Sequence, residues 1–176
     1  MMGRYMGAHI IRRAHDTRAV LDSVRRIVRT LHESSRAAEK QVGLTGAQLF
    51  VLQKLAESPG VSLNDLAARS HTHQSSVSTV VSRLVDRGLV LRSPAPDDAR
   101  RLELRLSADG RRLAARAPDA AQARLIHAIE RLPAARRRSL ARSLLALTNS
   151  MDLAGGEPVM FFDDAPRGSR RRGTHA

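Results

Sequence analysis

Between Val77 and Leu106 the apolar side chains change their spacing from that of a helix to that of a strand, and few folds accommodate so quick a switch. Val77, Val80, Val81, Leu84 and Val85 fall at i, i+3, i+4, i+7 and i+8, which is one buried helical face. Gly88 follows at the position where a left-handed residue ends a helix. Leu89-Val90-Leu91-Arg92 then reads as a strand. Leu102, Leu104 and Leu106 alternate with Arg101, Glu103 and Arg105, a period of two with one dry face. The connection from Ser93 to Arg100 is polar and broken by proline, so it predicts an exposed hairpin tip.

A second helix precedes this unit. Ser62 with Asp65 forms a capping-box pair, and Leu63, Leu66 and Ala67 give a short apolar stripe. Ser70-His71-Thr72 is the turn between the helices, with Thr72 placed as the next N-cap. Two helices followed by a hairpin make a winged helix-turn-helix. The rest of the second helix is Gln74, Ser75, Ser76, Ser78, Thr79, Ser82 and Arg83. Hydroxyl residues are weak helix formers, so packing must hold this helix. Their small size and donor groups suit close approach to phosphates and base edges. Any small helix pair with a hairpin shares the periodicities but lacks this Ser/Thr-rich face.

The residues from Gln74-Ser75-Ser76-Val77-Ser78 through Leu84-Val85-Asp86-Arg87-Gly88-Leu89-Val90, then Asp97-Asp98-Ala99-Arg100-Arg101 and Leu104-Arg105-Leu106-Ser107, resemble the MarR family of bacterial transcriptional regulators. The likeness extends from about Val20 to Leu153. It implies that the second helix enters a major groove and the wing arginine an adjacent minor groove. Matched onto this chain, DNA contact would fall to Thr72, His73, Gln74, Ser75, Ser76, Ser78, Thr79 and Arg83 on the helix. Asp98, Arg100 and Arg101 would act from the wing, with Asp98 orienting an arginine. The resemblance also implies a homodimer on a double-stranded operator. It further implies a small, often aromatic or phenolic, anionic effector between the dimerisation helices and the head.

The flanking segments fit that scheme. The fold class expected is mainly α with a small β-hairpin wing (α+β), a winged helix-turn-helix carrying N- and C-terminal dimerisation helices. Residues 1–15 read as a flexible arm, 16–154 as the domain, with the reading head at 45–106 and dimerisation helices at 16–40 and 107–154, and 155–176 as a flexible basic tail. The first long helix carries Val20, Leu21, Val24, Ile27, Val28 and Leu31 on one face. Thr45 and Gln48 open the next helix, Gly46 to Glu57, which Pro59-Gly60 ends. After Ser107, a helix running to about Arg131 should kink or split near Ala117, because Pro118 lies inside it. Pro133 should be the first residue of a last helix in which Leu140, Leu144, Leu147 and Met151 recur at heptad-like spacing. Val20, Val24, Ile27 and Leu31 with Leu140, Leu144, Leu147 and Met151 are the candidate dimer contacts. Each end helix has more apolar face than a small head can cover.

Composition excludes more than it selects. No cysteine is present, which removes disulfides, thiolate metal sites and thiol redox sensing. The first residues lack the apolar core of a secretory signal and no run suits a membrane span, so a cytoplasmic protein is expected. Net charge is +13, yet the 62–106 stretch holds seven basic and five acidic residues, so charge alone locates no site. His71-Thr72-His73 lacks cysteine or carboxylate partners at ligand spacing, so no metal or other cofactor is expected. No serine elbow, phosphate-cradling glycine loop or carboxylate pair in apolar surroundings appears, so the chain is not read as an enzyme. The alternative is a non-specific architectural DNA binder. A basic amphipathic membrane-surface protein is disfavoured by the absence of tryptophan.

Overall fold

The computed structural model describes residues 3–96, 100–153, 155 and 158–163, with side chains from residue 12 onward. The order is α1 (Gly3–Val42), α2 (Gly46–Glu57), α3 (Leu63–Arg69), α4 (Gln74–Asp86), β1 (Val90–Pro94), β2 (Leu102–Leu106), α5 (Ala108–Arg116), α6 (Ala121–Glu130) and α7 (Ala134–Ser150). Helix α2 is the hub. Ala47, Leu49, Phe50, Val51, Leu52 and Leu55 are wholly buried, so it is dry on almost every side. Helices α1, α3, α4, α5 and α6 and strand β2 pack against it. At its start Thr45 Oγ1 accepts from Gln48 N at 3.2 Å and Gln48 Oε1 accepts from Thr45 N at 3.1 Å, a capping box. Such a cap contributes about 1 kcal/mol.

Ser62 and Asp65 form the second capping box, the hydroxyl accepting from Asp65 N at 3.2 Å and donating to Asp65 Oδ2 at 2.7 Å. The Ser62 hydroxyl, and after it the Ser62 backbone N–H, hold the Asp65 carboxyl below the usual carboxylate range. A lowered acid stabilises the fold above its ordinary value. That contribution is lost as pH falls through the lowered one.

Three boundaries and one strand face differ from the sequence reading. The first helix begins at Gly3 rather than near Asp16, replacing the expected arm over 3–15. No proline interrupts that stretch, and alanine, arginine and isoleucine carry the helix backwards. Strand β1 continues through Ser93 and Pro94, residues expected in the loop. Pro94 faces Leu102, between the hydrogen-bonded pairing of Ala95 N to Arg101 O (2.8 Å) and the next such position at Ser93. Its missing N–H is therefore not one the hairpin uses. Leu102 is half exposed at the outer end of the wing, while Glu103, on the face expected to be wet, is buried. Arg105 at 2.8 Å and Arg101 at 3.5 Å pair with its carboxylate and make that burial tolerable. Pro133 is the N-cap of α7 rather than its first residue.

Pro118 splits the following helix as expected, with α5 ending at Arg116 and α6 starting at Ala121. The break is stitched to the core by Gln53, whose Nε2 donates to Pro118 O at 2.9 Å while its Oε1 accepts from Ala120 N at 3.1 Å. Helix α5 belongs to the head, laying Leu113 and Ala114 on the core. Helix α7 buries none of its residues, and Leu140, Leu144, Leu147 and Met151 stay exposed opposite Val20, Val24 and Ile27, exposed on α1. Leu31 departs from this set. It is covered within its own chain, beside the start of α6 and the segment after α7.

That segment is the largest departure. Residues 158–163, read as part of a flexible tail, are docked. Met160 is 3% exposed and part of the core, and the Phe162 ring lies 4.4 Å from that of His32.

The tightest packing in the head is at Gly110. A Cβ there would lie 2.1 Å from the carbonyl oxygen of Leu89, which already accepts from Ser107 N. Backbone cannot retreat as a side-chain tip can. Gly110→Ala is expected to cost about 2–4 kcal/mol, read from the urea midpoint at unchanged m-value; a midpoint within error of the parent's would show that β1 and α5 are not held this closely.

Candidate nucleic-acid interface

Helix α4 separates its two faces cleanly. Val77, Val80, Val81 and Leu84 are wholly buried, and each such side chain contributes about 1.5–3 kcal/mol relative to leaving it in water. This packing holds a helix whose remaining residues would not sustain it. Gln74, Ser75 and Thr79 are exposed and Ser78 and Ser82 half-exposed on the opposite side. The Thr79 hydroxyl donates back to Ser75 O at 3.1 Å, which leaves its methyl group and a lone pair outward.

The N-terminal end is built differently from the expected one. His73, not Thr72, is the N-cap, and its side chain makes no capping bond. Thr72 Oγ1 donates to Ser70 O at 2.9 Å, closing the turn, and its side chain is half-buried away from the exposed face. Ser76 also leaves that face. It is 7% exposed, and its hydroxyl donates to Pro158 O at 3.3 Å. Arg83 is half-buried on the same flank and paired with Asp163. From helical geometry Ser76 and Arg83 lie on the border between the buried and exposed stripes, seven residues apart.

The wing is set against α4 by an arginine the sequence reading did not single out. Arg92 Nη2 donates to Ser82 Oγ at 2.9 Å, tying the base of the hairpin to the middle of the helix. Arg100 is exposed at the tip. Arg101 leans back on Glu103. Asp98 lies outside the described residues. Arg87, just past α4, donates to Gly43 O at 2.7 Å and Gln48 Oε1 at 3.2 Å, fixing the end of α4 to the α1–α2 junction. Nothing in the spacing of Arg87 or Arg92 distinguishes them from solvated arginines; only their tertiary partners do.

Behind the turn that enters α4 is an apolar cavity of about 870 Å³, bounded by α1, α6, α7 and residues 158–161. Val24, Ile27, Leu125 and Leu144 line it, with Ser70, His71, Thr72 and His73 on the head side. Ser70 Oγ and Gln122 Oε1, on the cavity wall, are buried without a hydrogen-bond partner among the described residues. His71, at the positive φ of 49°, reaches the end of α6, which with α1 and α7 forms the stalk outside the head. Its Nε2 lies 3.0 Å from Glu130 Oε1, and His127 Nδ1 lies 3.3 Å from Oε2 of the same carboxylate. These contacts, that of His71 foremost, keep the Glu130 carboxyl below its ordinary value.

Two helices at a turn, the second with an exposed hydroxyl and amide face and an antiparallel hairpin beside it, define a winged helix-turn-helix protein. The MarR family model matches residues 44–102 of this chain. The HTH-type transcriptional repressor Rv2887 of Mycobacterium tuberculosis (strain ATCC 25618 / H37Rv) is 33% identical over 119 residues, 68% of this chain and 86% of that one. The chain therefore belongs to the MarR family, whose members are DNA-binding transcriptional regulators and not enzymes. The crystal structure of the transcriptional regulator BldR from Sulfolobus solfataricus matches with a TM-score of 0.50 at 20% identity, over 77% of this chain and 96% of that one, a likeness of fold alone. Rv2887 is also known in a crystal structure with salicylic acid (32% identity, 70% of this chain and 92% of that one, TM-score 0.44). No helix among the described residues is long and apolar enough to cross a membrane.

Proposed function

We propose that this chain is a homodimeric repressor that reads a pseudo-palindromic operator with α4 and the wing and is released by a small ligand. The observation that carries the reading is the exposed face of Gln74, Ser75, Ser78 and Thr79, held outward by the wholly buried valine stripe and flanked by the wing. Gln74 heads that face, and an amide there can pair in two places with adenine, whereas the hydroxyls suit phosphates. Arg100 at the tip suits a narrow minor groove, which concentrates negative potential without a base code. Ser76 and Thr72 drop out of the contact set, since the first is covered by the docked C-terminal segment and the second closes the turn.

The open seams of α1 and α7 support the dimer. An apolar face of this extent on a single chain calls for a partner, and a second copy presents the same face in two-fold relation. Two α4 helices on one side of B-DNA would then sit about one helical turn, roughly 34–36 Å, apart. The cavity supports the effector. Its walls belong to the seam on one side and to the turn entering α4 on the other, so an occupant touches both. Gln122 Oε1 offers an unmatched buried acceptor, which suits a ligand carrying a hydroxyl donor on an apolar body.

Gln74→Ala is expected to weaken operator binding by about 1–3 kcal/mol per half-site and to relax sequence preference. Arg100→Ala should instead lower affinity on all duplexes and flatten the dependence of log K on log salt by about 0.9. Footprinting and titration across a salt series separate the two, and uniform protection of genomic DNA by the parent protein would favour an architectural binder. Leu144→Glu with Leu147→Glu should give a monomer by light scattering that no longer protects the operator; a monomer that binds as tightly as the parent removes the dimer from the mechanism. With salicylate as the probe, Gln122→Leu should raise by roughly tenfold the concentration needed to release DNA, the discrimination a lost hydrogen bond to a buried group gives. An unchanged release curve would place the effector elsewhere.

A further inference from the structure

The segment Pro158–Asp163 joins two parts of the molecule that the sequence keeps far apart. Its apolar side anchors it. Met160 sits in the core, Phe162 packs on His32, and Val159 and Phe161 help wall the cavity. Phe162 holds a φ of 55°, a left-handed backbone that a non-glycine residue adopts only at a cost. Such a conformation persists only where surrounding contacts determine it. Its polar side faces α4. Ser76 donates to Pro158 O, and the Asp163 carboxylate, 7% exposed, is paired with the guanidinium of Arg83, 29% exposed.

Arg83 stands on the border of the exposed stripe, one turn beyond Thr79 and on the flank of Ser76. From there a long side chain reaches either the strap or an anion lying along the exposed face. The strap supplies an anion in advance. A carboxylate on a guanidinium makes the same charge-assisted contacts as a phosphate oxygen, and the two cannot hold one guanidinium at once.

We propose that Pro158–Asp163 is an internal latch on the reading helix, in which Asp163 occupies Arg83 in the place of a DNA phosphate and duplex binding exchanges one for the other. The proposal rests on the reading of α4 as the DNA-contacting helix. Both partners are largely desolvated, so the pair is held by geometry more than by net attraction. Exchange requires the carboxylate to be rehydrated as the strap's end lifts. The latch thus sets the baseline affinity. Because the same strap walls the cavity, filling the cavity alters how firmly Arg83 is held.

The test uses the full chain and a labelled random-sequence duplex, with fluorescence anisotropy across a salt series. Asp163→Asn keeps the shape and removes the charge. It is expected to tighten binding by roughly five- to tenfold, because the Asp163 carboxylate no longer competes for Arg83, at a nearly unchanged log K against log salt slope, since Arg83 meets a phosphate in both complexes. Arg83→Ala should cost little in the parent and should abolish the gain when added to Asp163→Asn. Unchanged or weaker binding by Asp163→Asn, or a gain that survives without Arg83, overturns the latch. A second variant guards against a loosened core. Ser76→Cys with Pro158→Cys, in a chain that has no cysteine of its own, lets a short bis-maleimide fix the strap in place. The bridged protein should bind the duplex about fivefold more weakly than the same variant alkylated without a bridge, as expected for a phosphate contact withheld; equal affinity also overturns the latch. Thr79→Glu tests the underlying reading separately. If it leaves duplex binding unchanged, α4 is not the contacting helix and the latch falls with it. If it weakens binding while Asp163→Asn changes nothing, only the latch falls.

Discussion

Everything the head presents depends on four side chains of α4 being driven into the core around α2. Val77, Val80, Val81 and Leu84 are the reason a helix rich in serine and threonine exists here at all. The hydroxyls would compete for their own backbone in water, and only the gain from burying the opposite face overrides that preference. The arrangement divides the labour. Apolar residues supply the stability, so the outward residues are free to be small and polar. Arg87 and Arg92 then fix the helix in two further directions, to the α1–α2 junction and to the base of the hairpin. A helix so constrained presents its outer face at a set angle to the wing.

The parts of this architecture that follow from local chemistry were legible in the sequence. Both capping boxes, the valine stripe, the stop at Gly88 and the break at Pro118 depend on residues within a few positions of one another. The open seam on α1 and α7 was legible for the same reason. Features set by tertiary partners were not. Glu103 sits where alternation demands a solvated residue, and only the flanking arginines explain its burial. Ser76 belongs by spacing to the exposed face. It is covered by a carbonyl 82 residues away in the chain, which no local pattern announces. The pair Phe161-Phe162, half of the aromatic residues of the protein, was the one signal that the C-terminal segment had somewhere to go.

Besides the packing of α1 and α6 on α2, three features join the helices outside the head to the turn and flank of α4. His71 meets Glu130 across from α6, the cavity shares walls with both parts, and the strap crosses from the stalk side to α4. Each touches the turn before α4 or the flank of that helix, and none touches its exposed face. The exposed face of α4 is thus set apart from the contacts that hold the helix in place.

The hairpin's proline has a bearing on how the protein behaves among many copies of itself. In an antiparallel pair, residues at non-hydrogen-bonded positions turn their backbone groups away from the partner strand, and on β1 these are Val90, Arg92 and Pro94. Among the described residues no strand lies beyond β1. Its outer edge would be an open template for another strand, the usual seed of edge-to-edge aggregation. Pro94 deletes one outward donor and Arg92 sets a charge beside the next. The far side of the hairpin is already taken, because Val61 bridges Leu104 on β2. An exposed hairpin is thereby kept from recruiting the hairpins of its neighbours.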